Sequence, residues 1–246
     1  MADSTTTVRV DPHVHSDGSY DGHEPVELLL EHAADVGLDA VVVTDHDDID
    51  ESLRAADLAS DYGLLGIPGV EVSTAHGHLL AVGVEECPPK GEPLAATVDH
   101  VHGQGGAAIV AHPFQRTRHG VRRRNLVGCP ADALEVFNSM LFTGYRNRKA
   151  AAFATKHDYG SVAGSDAHFL GNVGRAYTEV DAPASDVSAD AVVDAIADGD
   201  TRIRGRRTPI HRSAVQYAAG AVKKSAYTFT RRAPYVPAWP ASYRTD

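Results

Sequence analysis

Residues 8–16 read VRVDPHVHS, a β-branched run that passes without a turn into two histidines spaced by one residue. On an extended chain, residues two apart project to the same side, so His13 and His15 can grip one cation together. The pattern recurs along the chain. TDHD (44–47) follows an apolar run, GVEVS (69–73) closes another, and His78 begins a third in GHLLAVG (77–83). AHPF (111–114), Leu134-Glu135-Val136-Phe137-Asn138 and GSDAH (164–168) continue the series. Almost every polar group of interest thus follows an apolar strand at its C-terminal end. In α/β barrels the loops at that end converge on one face and build the site.

Strands are expected at Val8–Val10, Ala40–Thr44, Leu64–Val72, His78–Val84, Ala107–Ala111, Ala133–Phe137, Ser161–Ala163 and Arg175–Val180. Amphipathic stretches at Pro25–Val36, Ile49–Ser60, Pro93–Gln104, Tyr145–His157 and Ala189–Ala197 separate them. Alternating strands and helices imply a parallel sheet covered by helices, and this many units favour a barrel over an open sheet. No GxGxxG opens a helix and no GxxxxGK[ST] is present, which removes the usual support for a nucleotide-binding open sheet.

The chain has 246 residues, enough for one domain with a substantial core. Cys87 and Cys129 cannot make a disulfide framework and match no metal spacing, which points to a reducing, cytoplasmic setting. The polar start MADSTTTVRV lacks a signal-peptide run, and no apolar stretch reaches the roughly 18 residues of a membrane span. Net charge is −10, with 23 Asp against 10 Glu and 18 Arg against 5 Lys. Abundant Asp with scarce Lys predicts a salt-rich cytoplasm, where hydrated and mutually repelling surfaces resist association.

Ten of the 23 basic residues lie in 201–246 against one acid, so residues 205–246 read as a basic tail beyond a 1–204 domain. The tail is expected to dock on the acidic body or across a homodimer interface, through Val215, Tyr217, Ala218, Tyr227, Phe229, Tyr235 and Trp239. It is expected to add stability rather than chemistry. Nucleic-acid binding by these basic residues is the disfavoured alternative, because salt weakens phosphate-backbone contacts.

These motifs, with Asp21-Gly22 and Glu24-Pro25 after the first, resemble the polymerase and histidinol phosphatase (PHP) family of metal-dependent phosphoesterases in content and order over residues 8–180. Residues from GRAYTEVDAP onward resemble a region that often follows PHP domains. The resemblance implies an α/β fold, an irregular seven-stranded (β/α) barrel of PHP type with a short basic C-terminal extension. It implies two or three divalent ions, Zn, Mn or Fe, at the C-terminal face. His13, His15, Glu71 and Asp166 would hold one ion. Glu71 would bridge to a second completed by His78 and His112, while Asp21, His46 and His168 would hold a third. Asp17 and His76 stay open as rivals to Asp21 and His78.

The chemistry so implied is phosphoester hydrolysis by a hydroxide bridging the ions, with Glu71, Asp166 and His168 as the catalytic residues. A small phosphorylated metabolite or nucleotide is the expected substrate, and an archaeal, halophilic source is expected from composition and resemblance together. Arg116, Arg118 and Arg175 follow ligand motifs and present the planar fork that matches phosphate oxygens. Glu135 is expected to orient a ligand histidine or to serve structure alone, and His23 and His119 lie near the mouth. A metal-binding regulatory module, a nuclease acting on nucleic-acid ends and metal-assisted amide hydrolysis are the alternatives. The last predicts a lysine at a strand end, where this sequence places none.

Overall fold

Runs rich in valine and alanine form nine strands among the described residues. They are β1 (Thr5–Val14), β2 (Ala40–Val43), β3 (Gly69–Thr74), β4 (Gly77–Val82), β5 (Ala107–Val110), β6 (Ala133–Asn138), β7 (Gly160–Gly164), β8 (Ala176–Pro183) and β9 (Thr201–Gly205). The helices are α1 (Val26–Asp35), α2 (Asp50–Leu58), α3 (Leu94–His102), α4 (Arg123–Leu126), α5 (Gly144–His157), α6 (Ala189–Ala197) and α7 (Ile210–Arg232). The computed structural model describes residues 4–141, 143–185 and 187–232, with only part of the side chains in α7.

Two mixed sheets result, in the orders β2-β1-β8-β9 and β3-β4-β5-β6-β7. Isolated bridges pair Val14 with Ala167, Ala40 with Leu65 and His46 with Glu71 where the sheets adjoin. The ladders do not close into the expected seven-stranded barrel. The strand directions also depart from the all-parallel pattern, for a reason that lies in the connections. Thr74 pairs with Gly77 across a two-residue turn, and so short a link can only return β4 antiparallel to β3. β4 and β5 are also antiparallel, as are β1 and β8, and β8 and β9. Among the described ladders, β1–β2, β5–β6 and β6–β7 keep the parallel pairing that alternation predicted, and the three isolated bridges are parallel as well.

Side-chain alternation divides the apolar residues into three packed groups. Val8, Val10, Val42, Leu80, Val82, Ile109 and Val162 fill the space between the sheets, joined by Val192, Val193 and Ile196 of α6. On the outer face of the β3–β7 sheet, Val70, Val72, Leu79, Val110 and Leu134 meet Val98 and Val101 of α3 and Phe153 of α5. Val14, Val41 and Val43 meet Leu29, Leu30 and Ala33 of α1 on the outer face of the other sheet. Fully buried side chains of this kind cost roughly 2–5 kcal/mol each on truncation to alanine. The frame that carries the site is therefore stiff.

Candidate metal centre

Two bulges decide which side chains meet between the sheets. In β1, Val8 and Val10 face the inter-sheet core, so strict alternation would turn His13 and His15 outward. The register against β2 slips by one residue between Asp11 and Val14, which passes the inner face to His13 and His15 and turns Val14 outward. A second slip in β6, between Glu135 and Phe137, brings Asn138 onto the same side as Glu135. Gly164 of β7 leaves the necessary room, since a Cβ there would stand 2.7 Å from the His13 Cβ and 2.8 Å from Glu135 Oε1.

Glu71 of β3, fully buried, sits at the centre. Its Oε1 lies 2.8 Å from His78 Nδ1 and 3.1 Å from His112 Nε2. Its Oε2 lies 3.3 Å from nitrogens of His13, His15 and His46. One carboxylate thus joins two sets of imidazoles through its two oxygens. Asp21 Oδ2 stands 3.1 Å from His168 Nε2 and 3.5 Å from His46 Nε2. Asp166 Oδ1 lies 3.7 Å from His13 Nε2 and from His15 Nε2. Four groups have ligand atoms within 4.8 Å of one another: His13/His15/Glu71, His46/Glu71/His78, His13/His112/Asp166 and His15/Asp21/His46/His168.

The electrostatics of this cluster are those of a site short of positive charge. Burial raises the Glu71 carboxyl, but His46, His78 and His13 outweigh it and hold Glu71 well below the usual range. Burial likewise opposes ionisation of Asp166 and Asp21. Arg118 and His13 overcome it at the first, His168 and His46 at the second. At His46, burial disfavours the charge, yet Glu71 and Asp21 push the ring up to about 9. Burial with His168 and His46 nearby drives His15 down to about 3, leaving a neutral imidazole, the form a metal requires. His15 Nδ1 and Nε2, His46 Nδ1 and His112 Nδ1 are buried without a hydrogen-bond partner. Divalent ions satisfy both needs, and an all-N/O donor set suits Zn, Mn or Fe.

The backbone around the cluster is constrained as well. His112 and Asp166 adopt left-handed conformations, φ 30° and 55°, as do Asp47 and His119. Such strain is held only by surrounding structure and gathers at functional sites. His112 N donates to Glu135 Oε2 at 2.7 Å, and Asp166 N donates to the His13 carbonyl at 2.8 Å. Asp21 rides on the loop 17–22, which can pack against β1 because Gly22 has no side chain. A Cβ there would overlap the Ser16 carbonyl oxygen at 1.8 Å.

The nine expected ligands His13, His15, Asp21, His46, Glu71, His78, His112, Asp166 and His168 are therefore brought together. The rivals are not. His76 occupies the β3–β4 turn, where its Nδ1 accepts from Leu94 N, and Asp17 belongs to none of the four groups. Glu135 Oε1 lies 3.0 Å from His13 Nδ1, so it orients that ring. The arginines divide. Arg116 lines a cleft of about 800 Å³ beside the cluster, with His78, His119, Lys90, Arg122 and Arg124. Arg118 pairs with Asp166, its Nη2 2.9 Å from Oδ1. Arg175 is not among the cleft residues. It donates to the Arg207 carbonyl beside Arg206 and Arg212.

Several participants escaped the sequence reading. Asn138 donates to both Glu135 Oε2 (3.0 Å) and Asp166 Oδ2 (2.8 Å), and Tyr20 stacks on His46 at 4.7 Å. Gln216 of α7 touches His168. Asn138 ends a strand-end motif and so carried a signal. Gln216 had none. Of the expected tail anchors, Val215 and Ala218 are exposed. The side chains of Tyr217, Tyr227 and Phe229, and residues Tyr235 and Trp239, lie outside the described residues.

A family described as PHP-associated matches residues 144–201, which run from α5 through Asp166 and His168 to the start of β9. A two-domain protein from Bacteroides vulgatus containing a predicted PHP-like metal-dependent phosphoesterase superposes with TM-score 0.66 at 22% identity, covering 86% of this chain and 70% of that one. The chain shares the fold of that protein. The lesion-specific endonuclease PfuEndoQ of Pyrococcus furiosus shares it, with TM-score 0.54, 16% identity, and 80% and 58% coverage. An uncharacterized protein of Methanocaldococcus jannaschii is 34% identical over 121 residues, 45% of this chain and 49% of that protein. The match thus spans about half the length of this relative. Among the described residues, no helix of the chain is long and apolar enough to cross a membrane.

Proposed function

We propose that the chain belongs to the PHP family and is a metal-dependent phosphoesterase that hydrolyses a phosphomonoester or a nucleotide end. The observation that carries this reading is Glu71, whose two oxygens each face a separate set of imidazoles. The three ion sets would be His13/His15/Glu71/Asp166, Glu71/His78/His112 and Asp21/His46/His168. Bound divalent ions would supply Lewis acidity at the phosphoryl group and lower the pKa of an attacking water towards neutrality.

The chain's own residues do the rest. Glu71 holds the two imidazole sets in register, and Glu135 keeps His13 presenting Nε2. Asp166 stays ionised, which suits it to holding a cation rather than passing on a proton. Arg116 and Arg118 offer planar donors to phosphoryl oxygens, Arg118 once released from Asp166. Lysine chemistry finds no support. Lys90 pairs with Asp47 and Lys149 lies over Phe114, the first on the β4–α3 connection and the second within α5, so neither stands at the end of a strand.

A nuclease acting on nucleic-acid ends is the second reading. It is favoured by Arg116, Arg122 and Arg124 lining one open cleft beside the ligands. Phosphorylated metabolites and short oligonucleotides, each with Mn²⁺ or Zn²⁺ at low and molar salt, test both. The molar arm serves the acidic composition and the halophilic archaeal source it suggests. Chelator-sensitive release of phosphate is expected. No hydrolysis by a chain that nevertheless binds the ions would overturn both in favour of a metal-binding regulatory module.

A further inference from the structure

Amphipathic helices ordinarily dock by an apolar stripe and leave polar residues in water. The described side chains of α7 do the reverse. Val215 and Val222 stand 60% and 71% exposed, whereas Ser213 and Gln216 are buried. Burying a polar group costs free energy unless it is paired, and Gln216 is paired, so its partners show what the helix holds. The Gln216 amide lies 2.7 Å from His168 Nδ1, donates to the Asp166 carbonyl at 3.0 Å, and accepts from Asn172 Nδ2 at 2.9 Å.

Seven residues further, on the same side after two turns, Lys223 is half-buried. Its ammonium donates to the Ser19 carbonyl at 3.2 Å and to the Gly22 carbonyl. Those two carbonyls flank Asp21, and Ser19 Oγ donates to Asp21 Oδ1 at 2.7 Å. Through two side chains, α7 therefore holds both His168 and the loop that presents Asp21. Upstream, Thr208 N donates to the Ser139 carbonyl at 2.7 Å, fixing the entry to the helix against the end of β6.

We propose that α7 is part of the metal centre. Gln216 and Lys223 are positioning residues for His168 and Asp21, and docking of the helix and binding of the ion held by Asp21, His46 and His168 strengthen one another. The inference rests on the metal-binding half of the function proposed above and not on its substrate. A side chain bonded to the far nitrogen of a ligand histidine typically governs metal affinity by 10–100-fold. Binding linkage is reciprocal, so the ion must stabilise the docked helix by the factor with which the helix strengthens the ion.

The test uses the full chain with Mn²⁺ alone as probe. Bound Mn²⁺ is counted by equilibrium dialysis, and amide hydrogen exchange of residues 210–232 is followed with and without Mn²⁺. Gln216→Ala and Lys223→Met should weaken the last ion at least about tenfold and leave the others in place. Gln216→Glu replaces the amide nitrogen facing His168 Nδ1 by an oxygen that accepts the ring N–H of an ion-bound histidine, keeps the acceptor for Asn172, and should restore binding of that ion. Mn²⁺ should slow exchange in α7 about tenfold in the wild type. His46→Ala removes a ligand of the same ion without touching α7, and should abolish that slowing. Unchanged ion affinity in Gln216→Ala, or α7 exchange indifferent to Mn²⁺, would overturn the inference while leaving the metal reading intact. A wild type that never binds the ion beyond the Glu71 sets would also overturn it. A wild type that binds no Mn²⁺ would sink the metal reading and this inference together.

Discussion

Replacing Glu71 by Gln preserves shape and removes one negative charge from between five imidazoles. Its oxygens lie 2.8 and 3.1 Å from His78 and His112, and 3.3 Å from His13, His15 and His46. Removing one partner from a buried charged cluster costs about 3–5 kcal/mol, because the remaining charges cannot be rehydrated. At 1.36 kcal/mol per decade, that converts to a loss of roughly 10²–10⁴ in kcat/KM. His46 stands at the edge, nearly buried, and contacts Glu71 through one nitrogen and Asp21 through the other. His46→Ala should lose about 10–100-fold. The assay is kcat/KM for a generic phosphomonoester at saturating Mn²⁺, with bound metal counted on the same samples. Glu71→Gln should lose ions from both of its imidazole sets, His46→Ala chiefly the one shared with Asp21 and His168. Equal losses of activity and metal in the two variants would refute the bridging role.

Three further outcomes are expected. Glu135→Gln weakens the hold on His13 Nδ1 and should reduce metal affinity about tenfold with little change in melting temperature, read by Mn²⁺ titration and calorimetry. The metal-free protein should lose stability at both ends of the pH range. Glu71, Asp21 and Asp166 have depressed pKa values, so their contribution is complete above about pH 4 and lost as pH falls through the folded values. His46, raised to about 9, contributes fully below about pH 6.5, and roughly 3 kcal/mol disappears as pH rises to 9. Melting curves from pH 3 to 10 should show both limbs, and Glu71→Gln should weaken the alkaline one, Asp21 keeping the rest. Cys87, pushed up to about 11 by burial and then by Asp47 and Asp48, should react with iodoacetamide about tenfold slower than a free thiol at pH 8. Its rate should still climb at pH 10, and a plateau near pH 8.5 would contradict the shift.

The order of elements was legible because apolar periodicity is a local property. Seven of the nine strands and every expected helix appear within a few residues of where the pattern put them, β3 beginning five residues later than Leu64. β1 is the exception in length, extending from Thr5 to Val14. β9 was invisible: Thr201–Gly205 alternates arginines on an exposed edge, so it carries no hydrophobic signal. His15, His46, His112, Asp166 and His168 were equally legible, since a polar residue just beyond an apolar strand stands out without any knowledge of its neighbours, whereas Asp21 on its loop and His78 opening β4 came from the family resemblance.

What tertiary structure alone decided was facing, pairing and support. Whether His13 and His15 point inward depends on a one-residue slip against β2, and a slip is a property of two strands, not of either sequence. Whether a sheet closes depends on which non-adjacent strands pair, as β1 does with β8. Gln216 and Lys223 could not be read as part of the site, because these polar side chains of α7 find their places only through partners some 50 and 200 residues away. Arg118 and Arg175, alike in sequence logic, part company for the same reason: one reaches Asp166, the other the Arg207 carbonyl. Local chemistry names the residues that can bind an ion. Only the long-range packing determines which of them share one.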